Sequence, residues 1–261
     1  IRNENLIRRY ANETFKINKT INNLKFIHIG KCGGTSILYY FLTQGILIQF
    51  YHLEKPILDE DVKYFMWIRD PVDRFISCFN HLKGIVEYQI PVGIQPEDLN
   101  LENCPAPYKI QNKIKSGFCF SEEFDSAIKK FKSAEDLISS LLSENDQFSS
   151  AELIINSPFE HINKGISWYM HEGEFIEKNF HKFIMLGSMN NFSSDLNRLL
   201  NIFNLNDCVK TPHKRISRIK NKSNLSEKST NFLKNEFLAK DYYCLNLLKE
   251  KILINSQKVS N

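Results

Sequence analysis

The stretch FIHIGKCGGTSILYYFL at residues 26–42 places a strand signal, a glycine-rich turn and a helix signal in direct succession. The apolar run at residues 24–29 is compatible with a buried strand. Residues 30–34 interrupt it, and residues 35–42 then have the apolar content of a helix. Glycines let backbone N–H groups approach an anion, and a helix N-terminus adds partial positive charge. We therefore predict an anion-binding loop that includes Lys31.

Further strand and helix signals alternate along the chain and extend this unit into an α/β fold. Short apolar runs at residues 46–51, 63–68 and 183–186 predict strands, and residues 72–82 and 192–203 predict helices. Strands that alternate with helices imply a parallel sheet, in which ligands bind beyond the carboxyl ends of the strands. We therefore predict a P-loop-like central parallel sheet flanked by helices, with the anion-binding loop at its carboxyl edge.

The order of residues in the loop separates it from ordinary ATP and GTP sites. The Walker A pattern places Lys after its last Gly, whereas Lys31 precedes Gly33 and Gly34. The order Lys-x-Gly-Gly-Thr-Ser resembles the 5′-phosphosulfate loop of sulfotransferases that use 3′-phosphoadenosine 5′-phosphosulfate (PAPS), whose heparan-type branch has a PKTGGTS-like loop. Gly30 replaces the usual Pro and Cys32 the usual Thr, which removes one hydroxyl contact but keeps the backbone cradle. The resemblance implies that the donor is bound by Lys31, Cys32, Gly33, Gly34, Thr35 and Ser36.

A second motif, RDPVDRFISCF at residues 69–79, strengthens this resemblance. In the family, an Arg at a strand end and a Ser eight residues later hold the 3′-phosphate, and Arg69 and Ser77 have this spacing. A guanidinium offers a fork of donors that matches phosphate oxygens. The alternative interpretation of this stretch is a helix cap and a surface ion-pair cluster formed by Asp70, Asp73 and Arg74.

A basic segment near the C-terminus, residues 212–223, resembles the family segment that closes over the nucleotide. The candidates for the 3′-phosphate there are Arg215, Arg218, Lys220 and Lys222. A run of charges is also typical of a solvated face, and both interpretations stay open. Residues 183–188 and the helix that follows resemble the later strand and helix of the family.

Sulfuryl transfer needs a general base for the acceptor hydroxyl and a cation near the leaving oxygen. Lys31 fits the role of the cation by position, and the resemblance requires no metal. Tyr51-His52 resembles the YH of the 2-O-sulfotransferase branch, and His52 has a near-neutral reference pKa that suits a base. Glu54 is the second candidate, although it would need burial to raise its pKa. The lesser candidates are His28, Asp73 and Asp98.

The organisation of the chain is predicted from the sequence pattern, since the resemblance covers residues 24–82 well, 180–250 loosely and 84–175 not at all. We expect one sulfotransferase domain over residues 1–261, with residues 1–23 as an arm or short helix. Its parts are a nucleotide-binding core at 24–82, a helical insertion at 84–175 that caps the acceptor, and a C-terminal core at 180–252. Within the insertion, we predict a loop at 84–120, helices over 121–160 and a strand at Trp168–Tyr169, and a last helix spans 226–252.

The acceptor is the least determined part of the prediction. The net charge is +4 and the insertion lacks a basic stripe, which favours a small, largely apolar alcohol and argues against a nucleic-acid partner. A glycan acceptor remains an alternative. So does a P-loop kinase in which Asp70 binds magnesium after residues 63–68, or a nucleotide-binding module without catalysis. PAPS would be the co-substrate and 3′-phosphoadenosine 5′-phosphate (PAP) the product.

Cysteine usage and hydropathy bear on the compartment. The six cysteines form no CxxC pair and no zinc-like spacing with His, so thiols in a reducing compartment are expected. No stretch reaches the ~18 to 20 apolar residues that a membrane span needs. The first 25 residues lack the apolar core of a signal peptide. We expect a cytoplasmic protein, with a signal or anchor upstream of Ile1 as the open alternative.

Overall fold

The computed structural model describes residues 18–88, 122–157, 161–205 and 225–259 of the chain. The basic segment at 212–223 and most of the predicted loop at 84–120 lie outside these residues. Among the helices of the described ranges, none is both long and apolar enough to cross a membrane.

A four-stranded parallel sheet forms the centre, as predicted. Its strands are β1 (Lys19–Ile27), β2 (Ile46–Tyr51), β3 (Lys63–Ile68) and β4 (Phe183–Ser188), in the order β2-β1-β3-β4. The expected arm over residues 1–23 is wrong from residue 19 onward, because Lys19 already pairs with Ile46 of β2.

Three helices follow β1, β3 and β4 and flank the sheet: α1 (Gly34–Thr43), α2 (Pro71–Tyr88) and α8 (Phe192–Ile202). The predicted helix at 72–82 therefore continues through residues that were expected to form a loop. Leu82 and Val86 are both buried, so the apolar face of α2 extends one turn further and keeps the helix intact.

The remaining helices belong to the predicted insertion and the C-terminal part. They are α3 (Glu122–Lys130), α4 (Ala134–Ser143), α5 (Phe148–Ile155), α6 (Ile166–Tyr169), α7 (Glu174–Asn179), α9 (Glu227–Phe232) and α10 (Ala239–Val259). Helices over 121–160 are thus confirmed in the described part. The predicted strand at Trp168–Tyr169 is wrong, since both residues lie in α6. A π-helical segment, Leu233–Phe237, divides the predicted last helix in two.

Buried side chains form two clusters, and α2 lies against the second. The first surrounds the sheet and includes the stacked rings of Phe26 and Phe65, whose centroids are 4.7 Å apart. The second joins α2 to α3, α4 and α5 through residues such as Phe75, Phe79 and Phe131. Helix α2 therefore connects the sheet edge with the helices of the insertion.

Candidate functional site

The loop between β1 and α1 makes a tight turn over residues 28–33. The Cys32 amide donates to the carbonyl of Ile29 at 3.3 Å, and the Ser36 amide donates to the carbonyl of Gly33 at 3.0 Å. Gly33 has φ 75°, in the left-handed region that favours glycine. A Cβ at Gly33 would also lie 2.8 Å from Met189 Sδ and from the ring of Phe192. The turn therefore needs this glycine for both its conformation and its space.

Lys31 has φ 69° and shares this left-handed conformation, which costs a side-chain-bearing residue roughly 1–2 kcal/mol. Helix α1 begins three residues later at Gly34, and the N–H groups of its first turn have no acceptor within the helix. A positive side chain thus lies next to a helix N-terminus, where the helix dipole adds partial positive charge. This arrangement suits an anion.

Cys32 lies within this loop as a buried, neutral thiol. Burial raises its pKa to about 12, and the guanidinium groups of Arg74 and Arg69 offset only part of this effect. The thiol therefore adds no negative charge that would repel an anion. The electrostatic effect of Arg69 also shows that the second motif lies close to the loop.

Sheet topology brings the two motifs to the same edge. Strand β3 pairs directly with β1 in parallel, with Ile27 opposite Met66. Arg69 follows the end of β3 and is half-buried, and Ser77, also half-buried, lies on α2. The loop with Lys31 and the motif with Arg69 and Ser77 therefore begin at adjacent strand ends.

Asp70 caps α2, as the alternative interpretation of the motif required. Its Oδ1 accepts hydrogen bonds from the amides of Val72 (3.0 Å) and Asp73 (3.1 Å), and its Oδ2 accepts one from the Tyr242 hydroxyl (2.9 Å). Three donors thus occupy the carboxylate that the kinase interpretation would assign to magnesium.

The second half of that interpretation, a surface ion pair at Arg74, is wrong. Arg74 is only 2% exposed and donates to the carbonyls of His161 (2.7 Å) and Ile162 (3.2 Å). It also pairs with the buried Asp241 of α10 at 3.6 Å. These partners lie far from Arg74 in sequence, so local spacing could not predict that it forms a buried ion pair and buried hydrogen bonds.

His52 follows β2, which pairs with β1 on the side opposite β3. Its Nδ1 lies 3.0 Å from the carbonyl oxygen of His28. A carbonyl only accepts, so Nδ1 carries the hydrogen, and in the neutral ring Nε2 then holds the lone pair. The Leu53 amide donates to the Tyr169 hydroxyl at 2.9 Å, which fixes the adjoining backbone. The structure thus gives His52 the tautomer of a base at Nε2.

The other candidate bases have different surroundings. Glu54 is exposed, so it lacks the burial that its role as a base would require. His28 is buried, and its ring stacks on His52 with centroids 4.1 Å apart. Asp73 is exposed on α2, and Asp98 lies outside the described residues.

Sequence reasoning missed His161, which also lies at the loop. Its ring centroid is 5.1 Å from that of His52 and 6.1 Å from that of His81. Burial, followed by the effects of His52, His81, Lys31 and His28, holds the pKa of His161 well below its usual range. It is therefore neutral at physiological pH. No motif surrounds it in the sequence.

The structure brings the loop, Arg69 and His52 to one region. The loop residues Lys31, Cys32, Gly33, Gly34, Thr35 and Ser36 meet Arg69 on one side and His52 on the other. Arg215, Arg218, Lys220 and Lys222 lie outside the described residues. Within the described ranges, no group of three His, Cys, Asp or Glu side chains could hold a metal ion.

Comparison with known families identifies the chain over nearly its full length. A family model described as "Sulfotransferase family" matches residues 13–252, which include both motifs and the segment that carries His161. No curated protein and no solved structure matches the chain significantly.

Proposed function

Because the chain belongs to the sulfotransferase family, we propose that it transfers a sulfuryl group from PAPS to the hydroxyl of a small, largely apolar acceptor and releases PAP. The observation that carries the proposal is the convergence of two motifs. The loop with Lys31 and the strand end with Arg69 leave adjacent parallel strands at the same edge of the sheet.

In this proposal, the loop at residues 30–36 binds the 5′-phosphosulfate of the donor. Its support is the helix N-terminus at Gly34 together with the Lys31 ammonium. Arg69 and Ser77 bind the 3′-phosphate, which distinguishes PAPS from ADP and ATP. The basic segment with Arg215, Arg218, Lys220 and Lys222 adds positive charge there, a role that rests on the sequence resemblance.

The reaction is an in-line displacement at sulfur. A bond forms between the acceptor oxygen and sulfur, while the bond from sulfur to the bridging phosphate oxygen breaks. The acceptor proton goes to His52 Nε2, the nitrogen that holds the lone pair when Nδ1–H binds the His28 carbonyl. Lys31 stabilises the charge that develops on the leaving oxygen of PAP. Glu54 is the weaker candidate for the base because it is exposed.

The proposal of an apolar alcohol rests on the absence of a basic stripe in the sequence of the insertion. The overall combination of sequence features resembles the flatworm sulfotransferase that activates the prodrug oxamniquine, so prodrug alcohols belong in the first acceptor panel. Phe124, Phe131 and Leu137 of the insertion are core residues and do not support an apolar pocket. A heparan-type glycan acceptor is the second candidate, and oligosaccharides belong in the same panel.

The first experiment compares thermal shifts with PAP, ADP and ATP–magnesium. A ligand at ~100 times its Kd stabilises a protein by roughly 2.7 kcal/mol, or about 5 °C for a chain of this size. We expect this shift with PAP only. In the variant Arg69→Ala, loss of a charged hydrogen bond worth about 1.5–3 kcal/mol should weaken PAP binding about 10- to 100-fold and bring it close to that of ADP. A shift with ATP–magnesium alone would make the chain a kinase.

The second experiment measures sulfuryl transfer from PAPS to the acceptor panel. We expect turnover with small apolar alcohols, and its loss in His52→Ala with PAP binding retained. PAP binding without turnover on any acceptor would instead support a nucleotide-binding module. Full activity of His52→Ala with loss in Glu54→Ala would reassign the base.

A further inference from the structure

Gly30 and His161 fit together in a way that neither the motifs nor the family match assigns. A Cβ at Gly30 would overlap the imidazole of His161, which is only 7% exposed. The backbone at Gly30 does not itself require glycine, because its φ lies outside the left-handed region. Any larger residue at this position would therefore collide with the histidine ring that packs against it.

Three groups hold the segment with His161 in place. Arg74 donates to the carbonyls of His161 and Ile162, and Asp241 pairs with Arg74. Asp241 also accepts hydrogen bonds from the amide and hydroxyl of Ser167, at 2.8 and 2.6 Å. Helices α2 and α10 thus fix the backbone of His161 from two directions.

His161 in turn packs next to the proposed base. The ring of His52 stacks on His28 at 4.1 Å and 18°, and the ring of His161 lies next to it at 5.1 Å and 48°. Rotation of the His52 ring about its Cβ–Cγ bond would sweep it through the space that these neighbours fill. Such a rotation would also break the hydrogen bond from Nδ1 to the His28 carbonyl.

We propose that His161 is a positioning residue for His52: its ring, held against Gly30 by Arg74, confines the imidazole of His52 in the orientation that keeps the lone pair at Nε2. This inference rests on the proposed function for its effect on catalysis, though not for the geometry itself.

The charges around His161 favour this passive role over a second base. Lys31 faces it from the loop, His28 and His52 from beyond the ends of β1 and β2, and His81 and Arg74 from α2. Burial is the main reason that the pKa of His161 lies well below its usual range, and the effects of His52, His81, Lys31 and His28 lower it further. A ring kept neutral offers packing surface to His52 without competing for the acceptor proton.

The test uses three variants of the full chain, Gly30→Ala, His161→Ala and the double variant. We expect Gly30→Ala to lower the Tm, because its methyl group collides with the ring. The double variant should regain the Tm and the thermal shift with PAP, since the methyl group fills space that the ring has left. Its kcat should remain at least about tenfold below that of the wild type, with KM for PAPS little changed. Recovery of kcat to within about twofold would overturn the proposal, because His161 would then only fill space.

A readout without turnover separates this inference from the proposed function. Nitrogen-15 NMR of labelled histidine rings reports the tautomer of His52 whether or not the protein transfers sulfuryl groups. We expect the single Nδ1–H tautomer in the wild type and mixed tautomers in His161→Ala. His181→Ala, which removes an exposed histidine, is the matched control. An unchanged His52 tautomer in His161→Ala would refute the positioning role even if the enzyme proved active. Mixed His52 tautomers in His161→Ala would support the positioning role even if the wild type showed no turnover and the proposed function failed.

Discussion

Replacing Arg74 with Met tests the contribution of its buried ion pair and hydrogen bonds to stability. The substitution keeps an unbranched side chain but removes the guanidinium. The carbonyls of His161 and Ile162 then lose their donor, and Asp241, which is 4% exposed, loses its cation. Because buried polar groups without partners are costly, we expect a large loss of stability rather than a local adjustment.

The magnitude follows from the burial of the pair. Removing one partner of a buried ion pair typically costs about 3–5 kcal/mol. Asp241 keeps its two hydrogen bonds from Ser167, so the lower part of this range, about 3–4 kcal/mol, applies here. With an unfolding entropy of about 2.1 cal/mol/K per residue, the 261 residues give about 0.55 kcal/mol/K. The expected decrease in Tm is therefore about 5–7 °C.

Thermal unfolding of Arg74→Met against Lys240→Met measures this effect. Lys240 precedes Asp241 and pairs with Glu172 at 2.8 Å, but both side chains of this pair are more than half exposed. Such pairs contribute about 0–1 kcal/mol, so the control should shift by less than about 2 °C. Adding Asp241→Asn to Arg74→Met should restore part of the loss, since no buried carboxylate then lacks a cation. Equal decreases in Tm in the two single variants would refute the claim that the buried pair of Arg74 and Asp241 stabilises the fold more than an exposed pair.

Three further predictions concern the loop, the sheet and pH. Lys31→Ala should lower kcat about 10²- to 10³-fold, as expected when one group that stabilises developing charge is lost, while the exposed Lys178→Ala leaves it unchanged in the same transfer assay. Gly187→Ala should lower the free energy of unfolding by about 1–3 kcal/mol in urea titration, because its Cβ would overlap the buried ring of Trp67. Stability should fall as pH decreases below about 6.5, because unfolded His161 binds a proton there and folded His161 does not. Urea titrations at pH 7.5 and 5.5 should show a lower free energy of unfolding at pH 5.5. The contribution of His161 to this difference, up to about 1.4 kcal/mol per pH unit below 6.5, should be absent in His161→Gln. An unchanged pH dependence in that variant would contradict the assignment.

Elements with a strong local signal could be predicted from the sequence. Strands β2 and β3 have the predicted bounds because each is a short, largely apolar run, as buried parallel strands require. Helix α1 follows its glycine turn for the same local reason, and Gly45, with φ 69°, lies in the turn after its last residue, Thr43. In these places propensity, hydropathy and tertiary structure agree.

Elements determined by distant partners could not be predicted in this way. The first half of β1, KTINN at Lys19–Asn23, is mostly exposed and has no apolar run, so only its pairing with β2 makes it a strand. Trp168 and Tyr169 are aromatic residues that favour strands, yet packing places Tyr169 in the core as part of α6. Tertiary structure overrides local preference in both cases.

The site also contains residues of both kinds, those with a local sequence signal and those placed by distant partners. The loop residues are contiguous, so their chemistry is visible in a few letters of sequence, whereas His161 reaches the loop only because α2 and α10 hold it there. One local trace of this contact exists, the Gly at position 30 where the family loop usually has Pro. A proline has a Cβ at the same place, which would overlap the ring of His161 as an alanine would. The unusual glycine and the unpredicted histidine are therefore one feature: a loop with Pro at this position has no room for the ring, and a chain that keeps the ring must keep the glycine.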